Sequence, residues 1–204
     1  SSALARSSNS TAPHLIYLPE RPVSREKIID DIRNCSENNI IIAVSEGIKD
    51  ENGEYYCAQS TQSHDIFGHA QLAGCAKGLE KFLGDEFGYK MRSVELSVLQ
   101  RCGGHFTSQT DLDESERIGK SAALSAYDGK RGIVMGFKRD GDYVCNIIEN
   151  KVCDIANKER KVPDEFIAAD GNDVTDEFIR YCKPLIMGDV QVITEDGLPK
   201  HITR

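Results

Sequence analysis

The run Ile40-Ile-Ile-Ala-Val44 constrains this chain more than any other stretch. Four of its five residues are β-branched, and no polar residue interrupts them. Such a run is typical of a strand covered on both faces, as in a parallel sheet with helices above and below. It ends in Ser45-Glu46-Gly47. Open α/β sheets bind ligands outside the carboxyl ends of their strands. Glu46 therefore stands where a carboxylate could accept hydrogen bonds from sugar hydroxyls. A capping or turn role would suit the same position equally well.

The flanking residues agree with that architecture. His14-Leu-Ile-Tyr-Leu18, ended by Pro19, reads as a strand. Ser24 is an N-cap candidate with Glu26 in the first turn, and Ile28, Ile29, Ile32 and Cys35 follow at helical spacing. A helix is predicted over 25–37. Residues 49–65 are polar and glycine-bearing and read as a long loop. A second helix is predicted from about Gly68 to Phe82, with Leu72, Cys75, Ala76, Leu79, Phe82 and Leu83 as its apolar stripe. His69 near its start reads as a structural histidine.

Between Arg92 and Arg101, Val94, Leu96 and Val98 alternate with Ser93, Glu95 and Ser97. That is the period of a half-buried strand. The order so far is β-α-β-α-β, which predicts a parallel sheet with right-handed crossovers. Nine residues of strand span roughly 30 Å, and an odd separation puts the two arginines on opposite faces. One small anion cannot touch both. Either one arginine is paired structurally, or the two serve different sites, as in a dimer where one reaches into its neighbour's pocket. Spacing alone favours the structural role.

Downstream, Ser108, Thr110 and Asp111 can cap a helix that runs to about Tyr127 and stops at Gly129. Ser115, Gly119, Ala122, Ala123 and Ala126 read as its inner face, and Asp111, Asp113 and Glu114 as structural acids at its start. Strands are predicted at 132–137, 143–148 and 152–155, and a short helix or turn at Pro163. A last helix is capped by Thr175, with Phe178, Ile179 and Cys182 inward. Weak strand character follows at 190–193.

Composition excludes several functions. A formal net charge of -8 argues against general nucleic-acid or anionic-membrane binding. No apolar run approaches the roughly 18 residues of a membrane helix. The seven cysteines are scattered, odd in number and without a CxxC pair, which suits reduced thiols in the cytoplasm. There is no glycine-rich phosphate loop, nucleophile elbow or histidine pair at metal spacing. No catalytic residue and no metal ligand is assigned within these residues. The opening Ser-Ser-Ala-Leu-Ala-Arg-Ser reads like the middle of a helix, so a fragment of a longer protein is expected.

Several motifs in order carry a resemblance. Val44-Ser-Glu46-Gly47, then Asp65-Ile-Phe-Gly-His-Ala-Gln-Leu-Ala-Gly74, then Arg92 to Arg101 and Ser108-x-x-Asp111 are similar to the second half of a phosphofructokinase. Gly171-Asn-Asp-Val-Thr175 and Pro184-Leu-Ile continue the likeness, which covers about residues 1–188. The pyrophosphate-dependent branch is resembled most, through Arg-Ser-Val-Glu-Leu and Gln-Arg-Cys. The resemblance implies a three-layer α/β fold with a mostly parallel sheet, as a fragment of a two-lobe enzyme. Residues 1–101 would form the sugar-phosphate lobe, and 102–170 would pack on a donor lobe outside this chain. Residues 171–204 would return to the first lobe.

The resemblance also implies roles. Glu46 would hydrogen-bond the sugar of fructose 6-phosphate, Arg101 would hold its 6-phosphate, and Arg92 would reach the 6-phosphate of a neighbouring subunit in a homodimer or homotetramer. Guanidinium groups suit this because they stay charged and grip phosphate with paired bonds. One departure stands out: ATP-dependent relatives carry a histidine where Val98 stands, and His105 is a weak substitute. The whole enzyme would be a cytoplasmic, glycolytic one, transferring a phosphoryl group from pyrophosphate to the 1-hydroxyl of fructose 6-phosphate with Mg²⁺. The Mg²⁺, the catalytic aspartate and the diphosphate loop would belong mainly to the other half, and this chain alone would be inactive. An ATP-dependent phosphofructokinase and a non-catalytic sugar-phosphate-binding subunit are the alternatives.

Overall fold

The computed structural model describes residues 1–56 and 74–200. His69, Leu72, most of the Asp65–Gly74 motif and the predicted start of the second helix lie outside the described residues. The chain order is β1 (Leu15–Tyr17), α1 (Arg25–Asn34), β2 (Ile42–Val44), α2 (Cys75–Phe87), α3 (Leu99–Cys102) and α4 (Gln109–Tyr127). There follow β3 (Ile133–Asp140), β4 (Val144–Lys151), α5 (Val152–Ile155), α6 (Asp176–Cys182), β5 (Thr194–Glu195) and β6 (Leu198–Pro199). The chain divides into two compact units, residues 1–97 with 161–181 and residues 98–160 with 182–204.

The first unit is built on a β-α-β crossover. β1 and β2 pair in parallel, with Leu15 opposite Ile42 and Tyr17 opposite Val44. Successive side chains of a strand point to opposite faces, and both faces here are covered. Leu15 and Tyr17 join Ile28 and Ile32 of α1 and Cys75, Leu79 and Leu83 of α2 in one core cluster. Ile16 on the other face packs with Ala3 and Val174, backed by Phe178 and Ile179 of α6. Burying one such side chain contributes roughly 1.5–3 kcal/mol. The Ser24 hydroxyl accepts from the Lys27 amide at 3.1 Å, as its capping role predicts.

The segment 92–101 departs from the predicted strand. Residues 91–96 have no regular secondary structure and join no sheet among the described residues, Ser97 sits at φ 44°, and α3 turns the chain helical from Leu99. Alternation makes a strand only where a partner strand takes its backbone bonds and a layer covers its apolar face. Among the described residues nothing does either: Val94 is 77% exposed, Leu96 56% and Val98 62%. The opposite-face argument for the two arginines lapses with the strand.

The second unit is a helix on a hairpin. β3 and β4 pair antiparallel over their full length, with Gly136 opposite Ile148. The predicted strand at 152–155 is instead the single helical turn α5. Ser108 caps α4 by accepting from the Asp111 amide at 3.2 Å. The next free amides of that helix are satisfied by a neighbouring segment, Gln109 donating to the Gly188 carbonyl at 3.0 Å and Thr110 to that of Met187 at 3.2 Å. The buried positions of α4 are Glu114 and Ser125, so the small-residue stripe read as inner faces outward. Polar partners decide this. The Ser125 hydroxyl donates to Glu149 at 3.1 Å, and Glu114 lies beside Tyr143, whose phenol burial and that carboxylate push well above its usual range. Every fully buried hydrophobic side chain among the described residues belongs to the first unit.

Candidate functional site

Glu46 stands at the carboxyl end of β2. The Ser45 amide donates to the Tyr17 carbonyl at 3.1 Å, carrying the parallel ladder one residue past the strand. The Ile48 amide then donates back to the Ser45 carbonyl at 3.3 Å, closing a turn around Glu46 and Gly47. Ile48, fully buried, anchors that turn in the core, while Glu46 is exposed. The first turn of α2 adjoins it, because the Cys75 thiol donates to the Ser45 carbonyl at 3.7 Å. Gly74 precedes α2 at φ 81°, a left-handed conformation that glycine adopts without a Cβ penalty. An exposed carboxylate and a helix amino terminus therefore share one end of the parallel pair. That arrangement offers hydrogen-bond acceptors to hydroxyls and a positive dipole end to an anion.

Arg92 follows α2. The helix ends at Gly88, itself left-handed at φ 64°, and the chain continues without regular secondary structure to Leu96. Ser93 is tied back to the helix: its amide donates to the Glu80 carboxylate at 3.1 Å, and its hydroxyl donates to the same oxygen. Lys77 pairs with that carboxylate at 2.9 Å. The Ser93 hydroxyl, then the Lys77 ammonium, hold Glu80 below the usual carboxylate range. No sequence motif marks this trio. The Lys77-x-x-Glu80 spacing was visible, but nothing in it pointed to Ser93.

Arg101 lies in the one-turn helix α3 of the second unit, its amide donating to the Val98 carbonyl at 2.9 Å. Both guanidinium groups are exposed. Among the described residues neither has an ion-pair or hydrogen-bond partner. The structural pairing that spacing favoured is therefore not made among the described residues. His105 lies with its ring against Phe106, centroids 4.1 Å apart. Glu46 and Arg92 belong to the first unit and Arg101 to the second. Among the described residues no group of three or more His, Cys, Asp or Glu side chains could hold a metal ion, and no helix is long and apolar enough to cross a membrane.

A polar concavity at the other end of the strands is lined by Thr11, His14 and Glu37. Its groups bond one another: Ile41 donates its amide to His14 Nδ1 at 2.9 Å, and the Thr11 hydroxyl donates to Glu37 at 3.2 Å.

Comparison with known proteins adds the following. The phosphofructokinase family model matches residues 2–103. The chain is 34% identical over 197 residues to the pyrophosphate--fructose 6-phosphate 1-phosphotransferase of Xanthomonas campestris, covering 94% of this chain and 47% of that protein. It is 33% identical over 204 residues to the protein of the same name from Halomonas elongata, covering 97% and 48%. Among solved structures, the pyrophosphate-dependent phosphofructokinase from Marinobacter aquaeolei superimposes with a TM-score of 0.77 at 28% identity, over 97% of this chain and 46% of that one. The chain thus spans about half the length of the curated relatives it matches.

Proposed function

The chain belongs to the phosphofructokinase family, and on that premise we propose that it forms the sugar-phosphate-binding part of a pyrophosphate-dependent enzyme. The whole enzyme transfers a phosphoryl group from pyrophosphate to the 1-hydroxyl of fructose 6-phosphate, as a cytoplasmic step of glycolysis. The names of the relatives support the donor and the acceptor. The observation that carries the site is the pair of exposed guanidinium groups, Arg92 and Arg101, neither spent on a structural ion pair among the described residues.

In this reading Arg101 grips the 6-phosphate, with Arg92 contributing to the same group in a neighbouring subunit of a homo-oligomer. A planar guanidinium makes two parallel bonds to phosphate and stays charged throughout. Glu46 accepts from the sugar hydroxyls and fixes which face of the ring is presented. Positioning of this kind is the main contribution a protein makes to phosphoryl transfer. Among the described residues no three His, Cys, Asp or Glu side chains stand together to hold the Mg²⁺, and the ion is assigned mainly to the other half of the enzyme.

The lobes follow. In this proposal residues 1–101 form the sugar-phosphate lobe, 102–170 pack on the donor lobe and 171–204 return, although within this chain 98–101 and 182–204 group with the second unit and 161–170 with the first. The exposed stripe of α4 supports this, with Leu124 at 64% and Tyr127 at 89% exposure beside Gly119 and Ala123. Soluble proteins rarely leave such apolar surface uncovered. The sheet of the whole enzyme is larger and mostly parallel. Assaying the complete enzyme with pyrophosphate and with ATP tests the proposal. Turnover of fructose 6-phosphate with pyrophosphate is expected; turnover with ATP alone would overturn the donor, and none with either would overturn the activity.

A further inference from the structure

Glu80 is, we infer, a positioning residue for the sugar phosphate, acting through Ser93 on Arg92. The inference rests on the reading of Arg92 given above. Glu80 lies on the sixth position of α2, a helix held in the core by Cys75, Leu79 and Leu83. Its carboxylate is half-buried and takes both the amide and the hydroxyl of Ser93. A bond to a backbone amide fixes main chain, not only a side chain. The residue so fixed is the immediate neighbour of Arg92, in a segment that no sheet holds among the described residues. Without the tether, a stretch outside helix and sheet would present the guanidinium over many positions, and each binding event would have to order it.

Charge sharpens the device. Lys77 faces Glu80 from the preceding turn at 2.9 Å and keeps the carboxylate ionised alongside the Ser93 bonds. The acid therefore stays an acceptor for both Ser93 groups and is not drawn toward Arg92. Arg92 has no ion pair among the described residues although the Glu80 carboxylate bonds the residue next to it.

The test uses steady-state kinetics on the complete enzyme. Glu80→Ala is expected to raise KM for fructose 6-phosphate about tenfold, with kcat and KM for pyrophosphate little changed. Glu80→Gln keeps an acceptor oxygen for Ser93 and should restore most of the affinity. Ser93→Ala, which removes only the hydroxyl arm, should have a smaller effect in the same direction, and it serves if Glu80→Ala fails to fold. In an Arg92→Ala background Glu80→Ala should add nothing. An unchanged KM in Glu80→Ala, with Arg92→Ala impaired, would overturn the positioning role and leave Arg92 as read. A full additional loss in the double variant would place the action of Glu80 elsewhere and overturn it too. An unchanged KM in Arg92→Ala would instead overturn the reading of Arg92 itself, and the inference with it.

Discussion

The Tyr17 hydroxyl donates to the Asp31 carboxylate at 2.9 Å inside the core of the first unit. Lys27 pairs with the other oxygen of that carboxylate. Tyr17 is 2% exposed and Asp31 8%, so the bond crosses from β1 to α1 where water does not compete. Tyr17→Phe should lower stability by about 1–2 kcal/mol. Asp31→Ala should cost about 1–3 kcal/mol, because it leaves a buried hydroxyl unsatisfied. Thermal unfolding of the variants checks both, and an unchanged midpoint for both would remove this bond from the account.

Alkaline pH should reveal the same core. Burial, then the Asp31 bond, push the Tyr17 phenol well above its ordinary value of 10.0. Burial pushes Tyr56 up to about 12, and its hydroxyl donates to the Val23 carbonyl at 2.7 Å. The folded state thus keeps protons that the unfolded chain releases. Their stabilisation is complete below about pH 10 and is lost as pH rises from there through the folded values. Stability measured by denaturant should therefore fall above about pH 10, less steeply in the Tyr17→Phe/Tyr56→Phe variant. Parallel falls in the two proteins would contradict the assignment.

Much of the local structure was legible beforehand. Ser24 and Ser108 stand where the sequence predicts caps, and each makes its capping bond. The end of α4 at Tyr127 follows from Gly129, left-handed at φ 80°. The strand over 92–101 was not, because periodicity records the faces a strand would have, not whether a sheet receives it. The inner face of α4 was misread for a different reason. Glu114 and Ser125 are buried on polar contacts to the hairpin, which apolar spacing does not register. The Glu80–Ser93 tether joins residues 13 apart through a turn, and only the folded chain brings them together.

The start of α4 should be sensitive to its two supports. Ser108→Ala removes a capping acceptor and should cost about 1 kcal/mol. Gly188 sits at φ 85°, and a Cβ there would lie 2.7 Å from Gln109 Cβ. Gly188→Ala should therefore destabilise by about 1–3 kcal/mol. Hydrogen exchange at the Gln109 and Thr110 amides, which bond Gly188 and Met187, would quicken in both variants. Unchanged exchange would show that the contact with 187–188 does not hold the helix end.

Thiol labelling should separate the cysteines. Cys75 is 2% exposed beneath the Glu46 turn, whereas Cys153 is open. Under native conditions iodoacetamide is expected to modify Cys153 rapidly and Cys75 only after unfolding. Rapid native labelling of Cys75 would mean that the junction of α2 with Ser45 opens readily.

Arg101 of α3, exposed and without an ion-pair partner among the described residues, is the group proposed to grip the sugar phosphate. Calorimetry of fructose 6-phosphate binding to the complete enzyme and to its Arg101→Ala variant tests it most directly. Losing one phosphate-gripping guanidinium should cost about 2–3 kcal/mol, or about 30- to 150-fold in affinity. A loss of that size is the predicted result. Equal binding by the two proteins would contradict the claim and leave Arg101 a surface residue.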